Sequence, residues 1–338
     1  MINLISDTVT KPTPGMLEAM MQAKVGDDVF GEDPSINALE AKAARLFGKA
    51  AALFCPSGTM TNQIAIKVHT QPLDEVICDE YSHVYQYETG GYAFHSGVSM
   101  NLIKGTNGKI TADQVEAAIK PVFDWLPISK LVVLENTCNK GGGSYYTLDE
   151  IAPIRNLCQE KGLRLHLDGA RLFNALVETK ESTQAVGALF DSVSICLSKG
   201  LGAPVGSLLI GDQEFIRQAR RFRKVMGGGM RQAGFLAAAG SYALDHQVER
   251  LREDNRRAKA IGMVLANLAY VSEVRPVQSN IVIFEVKAPW TAAAFVAKLA
   301  EKGINASPFG PQAVRLVTHL DVTEEMVDQT ISILKGIS

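Results

Sequence analysis

Two short segments combine residue types that could hold and activate an aldehyde cofactor. Leu163–Arg171 (LRLHLDGAR) is an alternating apolar run that ends in Asp168, with Arg171 three residues beyond it. Lys199 follows further along the chain, in a small-residue loop. An acid can keep a pyridine nitrogen protonated so that the ring accepts electrons, and a lysine can bond covalently to an aldehyde. This order suits pyridoxal phosphate chemistry. The alternative is a strand-end aspartate and a solvated surface lysine.

A turn of small and hydroxyl residues follows the first predicted strand. Cys55–Thr59 contains Ser57, Gly58 and Thr59 ahead of a helical pattern. Backbone N–H groups and two hydroxyls would then stand at a helix N-terminus, which suits a phosphate group. Many strand-to-helix turns contain such residues without binding a ligand, so that alternative stays open. The chain has no GxxxxGK[ST] motif and no GxGxxG motif after a strand, which disfavours a nicotinamide dehydrogenase.

His83 comes shortly after another predicted strand, Glu75–Cys78. A histidine at the carboxyl end of a strand lies on the edge where α/β sheets bind ligands, and its ring titrates near neutral pH. This position favours a functional role for His83. A helix-start histidine that bonds only to the backbone is the alternative.

Short apolar runs alternate with helical patterns along most of the chain, which predicts a mostly parallel α/β sheet with helices on both faces. Thr13 and Pro14 are predicted to open a helix that runs to Lys24, and Ser35 to cap a second helix, Ile36–Phe47. The predicted strands are Ala51–Cys55, Glu75–Cys78, Met100–Ile103, Lys130–Leu134, Arg164–Leu167, Ser192–Leu197 and Gly206–Ile210.

A long charged helix, predicted over Gln247–Ala269, interrupts this alternation. Beyond it the pattern predicts strand Asn280–Val286, helix Thr291–Lys302, strand Ala313–Thr318 and helix Glu324–Lys335. We therefore predict an N-terminal segment (1–14), a large cofactor-binding domain (15–245) and a small C-terminal α+β domain (246–338).

Composition narrows the classes of function. The 338 residues are 46% apolar and 21% charged, as in an ordinary globular protein. The net charge of −2 gives no electrostatic reason to expect nucleic acid or a membrane as partner. The N-terminal residues lack the features of a secretion signal, and no apolar run is long enough for a transmembrane helix. Five cysteines without metal-ligand spacing predict reduced, buried thiols in a cytoplasmic protein that holds no metal.

Motifs along almost the whole chain resemble those of L-threonine aldolases, in the β-eliminating-lyase group of fold-type I pyridoxal phosphate enzymes. They are SDTVTKPT, GDDVFGEDP, PSGTMTNQ, DEYSHV, LENTCN, HLDGARLFNA, CLSKGLGAPVG and RLVTHLDVT, in family order. The resemblance implies the fold-type I transferase architecture, with a mostly parallel seven-stranded sheet and a smaller C-terminal α+β domain.

The resemblance also implies roles for the cofactor-binding residues. Lys199 would bond covalently to pyridoxal 5'-phosphate, and Asp168 would pair with its ring nitrogen. His83 would stack on the ring and help to transfer protons. The phosphate would be held by Ser57, Gly58 and Thr59.

Five further residues acquire roles through the same resemblance. Arg171 and Arg315 would bind the substrate carboxylate, with Ser6 beside them. Lys224 and Arg231 flank a run of glycines and resemble positions that a neighbouring subunit contributes to the site, which implies a homo-oligomer, a dimer or a dimer of dimers. A basic helix end is the alternative for Lys224, because it follows several arginines.

The implied reaction is cleavage of L-threonine or L-allo-threonine to glycine and acetaldehyde. Two departures from the family could change proton transfer. Cys138 stands where many members have histidine, and Val122–Ile128 lacks a second histidine that some members carry. The alternatives are another fold-type I enzyme (a β-eliminating lyase, a hydroxymethyltransferase or an aminotransferase) and a catalytically silent binding protein.

Overall fold

The computed structural model describes residues 1–337, so that Ser338, the last residue of the predicted small domain, lies outside the described residues. The strands are β1 (Ile2–Asn3), β2 (Ala51–Cys55), β3 (Asp74–Asp79), β4 (Ser99–Ile103), β5 (Ile128–Glu135), β6 (Arg164–Gly169), β7 (Ser192–Cys196), β8 (Ser207–Gly211), β9 (Val271–Val274), β10 (Ile281–Val286), β11 (Ile304–Asn305), β12 (Ser307–Pro308) and β13 (Ala313–Val317).

Helices connect most of these strands. They are α1 (Pro14–Met21), α2 (Pro34–Leu46), α3 (Gly58–His69), α4 (His83–Gln86), α5 (Ala112–Ala118), α6 (Leu148–Lys161), α7 (Leu172–Thr179), α8 (Thr183–Leu189), α9 (Gln213–Val225), α10 (Gly234–His246), α11 (Leu251–Leu265), α12 (Ala292–Glu301) and α13 (Glu324–Lys335). In the described part of the chain, none of the helices has both the length and the apolar character needed to cross a bilayer.

The large sheet has seven strands in the order β2-β8-β7-β6-β5-β3-β4. Only β8 runs antiparallel to its neighbours, which confirms the predicted mostly parallel sheet. Because the other six strands share one direction, their carboxyl ends meet at the same edge. Each predicted strand of this sheet agrees with the structure to within two residues at either end.

A smaller antiparallel sheet, β12-β13-β10-β9, lies in the C-terminal part of the chain. The N-terminal segment joins this part, because β1 pairs with β11 and the Leu4 carbonyl accepts a hydrogen bond from the Val317 amide at 2.9 Å. Ile2 and Leu4 are buried in the same apolar cluster as Phe284 and Phe295. The division of the chain into domains stays a prediction.

Three helix predictions need correction at their ends. The first helix ends at Met21 rather than Lys24. The second begins at Pro34, because Asp33, not Ser35, is the cap: the Asp33 carboxylate accepts hydrogen bonds from two helix amides. The long helix predicted over Gln247–Ala269 is shorter, and it spans Leu251–Leu265. Its first four predicted residues instead form the turn between α10 and α11.

Candidate active site

A cleft of about 470 Å³ lies at the carboxyl edge of the large sheet. It brings together five residues that the sequence predicts as site residues: Ser6, His83, Arg171, Lys199 and Arg315. They come from the N-terminal segment, from the connections after β3, β6 and β7, and from β13. The fold therefore gathers side chains that are far apart in the sequence into one cleft.

Lys199 lies in the loop between β7 and β8. Its carbonyl accepts hydrogen bonds from the Gly202 amide at 2.8 Å and from the Thr10 hydroxyl at 3.0 Å. The backbone of Lys199 is thus fixed within its own loop and also to the N-terminal segment, while its side chain lines the cleft.

Asp168 is buried at the end of β6, close to His83. One of its oxygens accepts a hydrogen bond from the Asn62 amide at 2.9 Å, and the other from the Ala170 backbone at 3.2 Å. His83, Glu88 and Asp168 offer atoms within 4.8 Å of one another, as a set of metal ligands would. Here, however, Asn62 already donates to both carboxylates.

His83 is the first residue of α4. One carboxylate forms a hydrogen bond with its backbone, and another forms one with its ring. Its backbone amide donates to Glu135 at 2.8 Å, and its ring Nδ1 lies 3.0 Å from a carboxylate oxygen of Glu88. Burial lowers the pKa of His83, but the hydrogen bond to Glu88 and the charges of Asp168, Glu88 and Glu135 outweigh it. The net effect raises the pKa of His83.

Sequence reasoning missed the carboxylates of Glu88 and Glu135. Glu135 ends β5 in register with Asp168 on β6 and accepts the backbone amides of His83 and Asn139. Burial, followed by the negative charge of Asp168, raises the pKa of Glu135 to about 7. The position of Glu135 at a strand end was the available signal, but nothing near Glu88 in the sequence marked it as a partner of His83.

Arg171 is already paired inside the protein, which the sequence did not indicate. Its Nε and Nη2 donate to the two oxygens of Asp7 at 2.7 and 2.8 Å, and Asn280 donates to the same carboxylate at 3.2 Å. Burial raises the pKa of Asp7, but the charge and hydrogen bonds of Arg171 outweigh it and bring the pKa to about 2. Asp7 is therefore the counter-ion of Arg171 inside the protein.

Arg315 differs, because among residues 1–337 it has no carboxylate partner. Its Nη1 donates to Asn139 at 2.9 Å, its Nη2 to the Ile5 carbonyl at 3.1 Å, and its guanidinium lies 4.8 Å from the centre of the Phe309 ring. Burial, followed by the charge of Arg171, lowers the pKa of Arg315 to about 10. A partly buried cation without a counter-ion is suited to bind an anionic group in the cleft.

The predicted phosphate turn lies at the start of α3. Ser57 is its N-cap and accepts a hydrogen bond from the Met60 amide at 3.2 Å. Gly58 and Thr59 occupy the first helical positions, whose amides have no acceptor within a helix and are available to an anion. A side chain at position 58 would meet the Cys196 sulphur at 2.6 Å, so the turn needs a glycine there.

Lys224 and Arg231 do not line the cleft of their own chain. Lys224 lies in the last turn of α9, and Arg231 pairs with Asp27 at 2.9 Å. Their predicted contribution to a neighbouring subunit's site stays a prediction.

Cys138 is a buried thiol outside the cleft lining. Its sulphur lies 3.0 Å from the Glu135 carbonyl and 3.3 Å from the Gly108 carbonyl. Burial raises its pKa well above the ordinary value, so the thiol stays protonated at neutral pH and is not a base. All five cysteines are buried and free, as predicted.

The residues present fit pyridoxal phosphate. Lys199 in the cleft can bond to an aldehyde, the buried Asp168 can face a protonated ring nitrogen, and the α3 N-terminus can take a phosphate. The buried Nε of Arg315 has no hydrogen-bond partner, which fits a substrate carboxylate. Fold and cleft together define an α/β enzyme whose site lies at the carboxyl edge of its sheet.

Comparison with known proteins narrows this class. The family model described as beta-eliminating lyase matches residues 3–289. The low specificity L-threonine aldolase of Escherichia coli K12 is 44% identical over 97% of this chain and 96% of its own. A probable low-specificity L-threonine aldolase of Arabidopsis thaliana is 39% identical over 99% of this chain and 97% of its own.

A solved threonine aldolase structure from Leishmania major is 25% identical, with a TM-score of 0.83, and covers 99% of each chain. The chain belongs to the beta-eliminating lyase family. Both the predicted family and the predicted fold class are confirmed.

The His83–Glu88 contact generates a prediction about pH. We expect the His83 ring to titrate above its usual value of about 6.5, and Glu88→Gln to lower this pKa, because the substitution removes the nearest negative charge. The pKa of His83 is higher in the folded protein than in the unfolded chain. The His83–Glu88 pair therefore stabilises the fold to its full extent at pH values below the unfolded pKa, and this stabilisation is lost as the pH rises through the folded pKa.

NMR titration of the His83 ring in protein freed of cofactor measures this pKa directly. Glu80→Gln is the matched control, because Glu80 contacts Gln86 and Ile103 through its backbone. An unchanged pKa of His83 in Glu88→Gln would contradict the prediction.

Proposed function

We propose that this chain is a pyridoxal-phosphate-dependent aldolase, a carbon–carbon lyase that cleaves L-threonine and L-allo-threonine to glycine and acetaldehyde. One observation carries the proposal: Lys199, His83 and Arg315 line the same cleft, and the buried Asp168 lies next to His83. The names of the relatives, which are 38–44% identical over nearly the whole chain, support it further.

When bound, pyridoxal phosphate supplies an aldehyde for covalent attachment and a ring that accepts the electrons of the broken bond. Lys199 would hold the group covalently through its aldehyde. Asp168 would pair with the ring nitrogen and hold its proton. The amides of Gly58 and Thr59, with the Ser57 hydroxyl, hold the phosphate at the N-terminus of α3.

Arg315 fixes the substrate by its carboxylate, and this choice determines which bond breaks. Its planar guanidinium can bond to two carboxylate oxygens at once, which sets the rotation about the bond to Cα. Arg171 has Nη1 and the second N–H of Nη2 left for the cleft, since Asp7 accepts from Nε and from one N–H of Nη2. Ser6 lines the cleft beside them. By fixing the carboxylate, these residues would orient the Cα–Cβ bond so that its cleavage is favoured over competing reactions.

His83 is the proposed base that removes the β-hydroxyl proton, directly or through one water. Its ring lines the cleft, and Glu88 holds the other side of the ring in place. A positioned general base of this kind contributes about 10²–10⁴-fold to the rate. A pocket separates substrates that differ by one methyl-sized group by only about 1–3 kcal/mol. We therefore expect several β-hydroxy-α-amino acids to be cleaved.

We further propose that a second copy of the chain completes the active site. The oligomer is then a dimer or a dimer of dimers, and the dimer of dimers is a homotetramer. Lys224 and Arg231 lie outside the cleft of their own chain and are both exposed, so they are available to a neighbour. A two-fold axis would place two equivalent sites at one interface. We also infer a cytoplasmic location, which the five free, buried cysteines support.

A reaction test addresses the proposed chemistry. Incubation of the protein loaded with pyridoxal phosphate with L-threonine should give glycine and acetaldehyde in equal amounts. β-Elimination would instead give ammonia and a keto acid. Lys199→Ala should abolish turnover and prevent borohydride from attaching the cofactor to the chain, because no other residue is proposed to bond to the aldehyde.

Lys140→Ala is the matched control, since Lys140 is another lysine that lines the cleft. It should keep the borohydride-reduced adduct on Lys199. Mapping of the adduct to a different lysine, or formation of keto acid instead of glycine, would contradict the proposal.

Mixed oligomers test the shared site. Combining Lys199→Ala chains with Arg231→Ala chains should restore activity that neither parent has, because one site of the mixed dimer collects both defects and the other has none. This outcome requires Arg231→Ala to be severely impaired alone, which is expected if Arg231 contributes to the neighbouring subunit's site.

The control mixes Lys199→Ala with His83→Asn, two residues that line the same cleft of one chain. Every site then keeps one defect, so mixing should restore nothing. If Arg231→Ala behaved like His83→Asn, with mixed dimers confirmed by native mass spectrometry, the shared site would be excluded.

A further inference from the structure

A row of polar side chains leads from Asp168 away from the cleft, across the large sheet. The Asn62 amide Nδ2 lies 2.9 Å from Asp168 Oδ2, and Asn62 Oδ1 lies 3.2 Å from His166 Nε2. His166 Nδ1 lies 2.8 Å from the Ser192 hydroxyl, which lies 2.8 Å from His69 Nε2. Five side chains thus form one continuous hydrogen-bonded chain.

The elements that carry this row explain its path. His166 and Asp168 are two residues apart on β6 and therefore point to the same face of the sheet. Ser192 is the residue paired with His166 on the neighbouring strand β7. Asn62 and His69 belong to α3, the helix that begins at the proposed phosphate turn.

Burial of these polar side chains costs free energy unless each of them forms hydrogen bonds. Asp168 and Asn62 are 2% exposed, and His166 and Ser192 are fully buried. Only His69 is partly exposed, and its ring stacks on Phe215 at 4.6 Å. Apolar residues would fill this space without the cost of burying polar groups. The presence of polar side chains here therefore needs a reason.

The direction of each hydrogen bond is fixed by its neighbour. The Asn62 amide nitrogen must face Asp168 and Glu88, because carboxylates only accept, so the Asn62 oxygen faces His166. His166 must then donate from Nε2, which leaves its Nδ1 as acceptor for the Ser192 hydroxyl. The Ser192 oxygen in turn accepts from His69. Every donor in the row therefore points toward Asp168.

Both histidines suit this arrangement as neutral rings. Burial lowers the pKa of His166 to about 4, and burial together with His166 lowers the pKa of His69 to about 3. A neutral imidazole carries one donor and one acceptor, which is what a one-way row requires.

We propose that Asn62, His166, Ser192 and His69 are positioning residues whose aligned hydrogen bonds orient the Asp168 carboxylate to hold the proton on the pyridine nitrogen of the cofactor. Two other buried carboxylates, Glu88 and Glu135, lie near Asp168. The Asn62 amide donates to both Asp168 and Glu88, so that it fixes the position of the Asp168 oxygen between them. The inference rests on the role proposed above for Asp168.

A comparison of two cofactors tests the proposal through binding rather than turnover. Pyridoxal phosphate and its analogue with C–H in place of the ring nitrogen differ only where Asp168 would act. We measure the ratio of their dissociation constants for the wild-type protein, Asn62→Leu and His166→Phe. Wild type should prefer pyridoxal phosphate, and Asn62→Leu should reduce that preference about tenfold, since a hydrogen bond to a charged group is lost.

His166→Phe should reduce the preference by a smaller factor, and His166→Gln, which can still donate to Asn62, should restore part of it. Asn255→Leu is the matched control: its buried amide bonds to Asn174 and Glu178, outside this row. It should lower the midpoint of unfolding without changing the ratio. Ser192→Ala removes only one hydroxyl. It is used in place of Asn62→Leu or His166→Phe if one of those variants does not fold.

Asp168→Asn tests the role of Asp168 separately from the role of the hydrogen-bonded row behind it. If the ratio stays at the wild-type value in Asp168→Asn, the role proposed for Asp168 fails, and this inference fails with it. If Asp168→Asn removes the preference while Asn62→Leu, His166→Phe and Ser192→Ala all behave like Asn255→Leu, the role of Asp168 stands and the positioning row is overturned. A graded loss from Asp168→Asn to Asn62→Leu to Ser192→Ala supports it.

Discussion

The cleft depends on the buried ion pair between Asp7 and Arg171. Asp7 follows the N-terminal strand that pairs within the C-terminal part of the chain, and Arg171 follows β6 of the large sheet. Asn280, next to β10, donates to the same carboxylate. Three distant segments therefore meet at one point. Both charges are buried, so loss of either partner would leave the other uncompensated, which typically costs about 3–5 kcal/mol.

This pairing also decides the charge of the cleft. Of the two arginines that line the cleft, Arg171 is paired with Asp7, and Arg315 has no carboxylate partner among residues 1–337. Arg315 is oriented by neutral acceptors, the Asn139 side chain and the Ile5 carbonyl, which fix its position without cancelling its charge. An anionic substrate group can therefore supply the missing counter-ion.

Sequence reasoning found residues that a local pattern marks and missed residues that only the fold brings together. Asp168 and Lys199 lie near the carboxyl ends of two neighbouring parallel strands, β6 and β7, so their placement at the same edge of the sheet could be predicted. Asp7 could not be found in this way, because its partner Arg171 lies 164 residues further along the chain. Glu88 lies in an irregular connection without a periodic pattern, and its contact with His83 depends on how that connection turns.

Binding of glycine to the Arg315→Lys variant tests the central claim most directly, namely that Arg315 is the free cation that holds the substrate carboxylate. Glycine carries that carboxylate and lacks the β-substituent, so its affinity reports the carboxylate contact without cleavage. A spectral titration of the cofactor-loaded protein gives the dissociation constant. We expect Arg315→Lys to raise it at least about tenfold, because an ammonium cannot reproduce the two-oxygen contact of a guanidinium. A dissociation constant within about twofold of wild type, with cofactor still bound, would contradict the account.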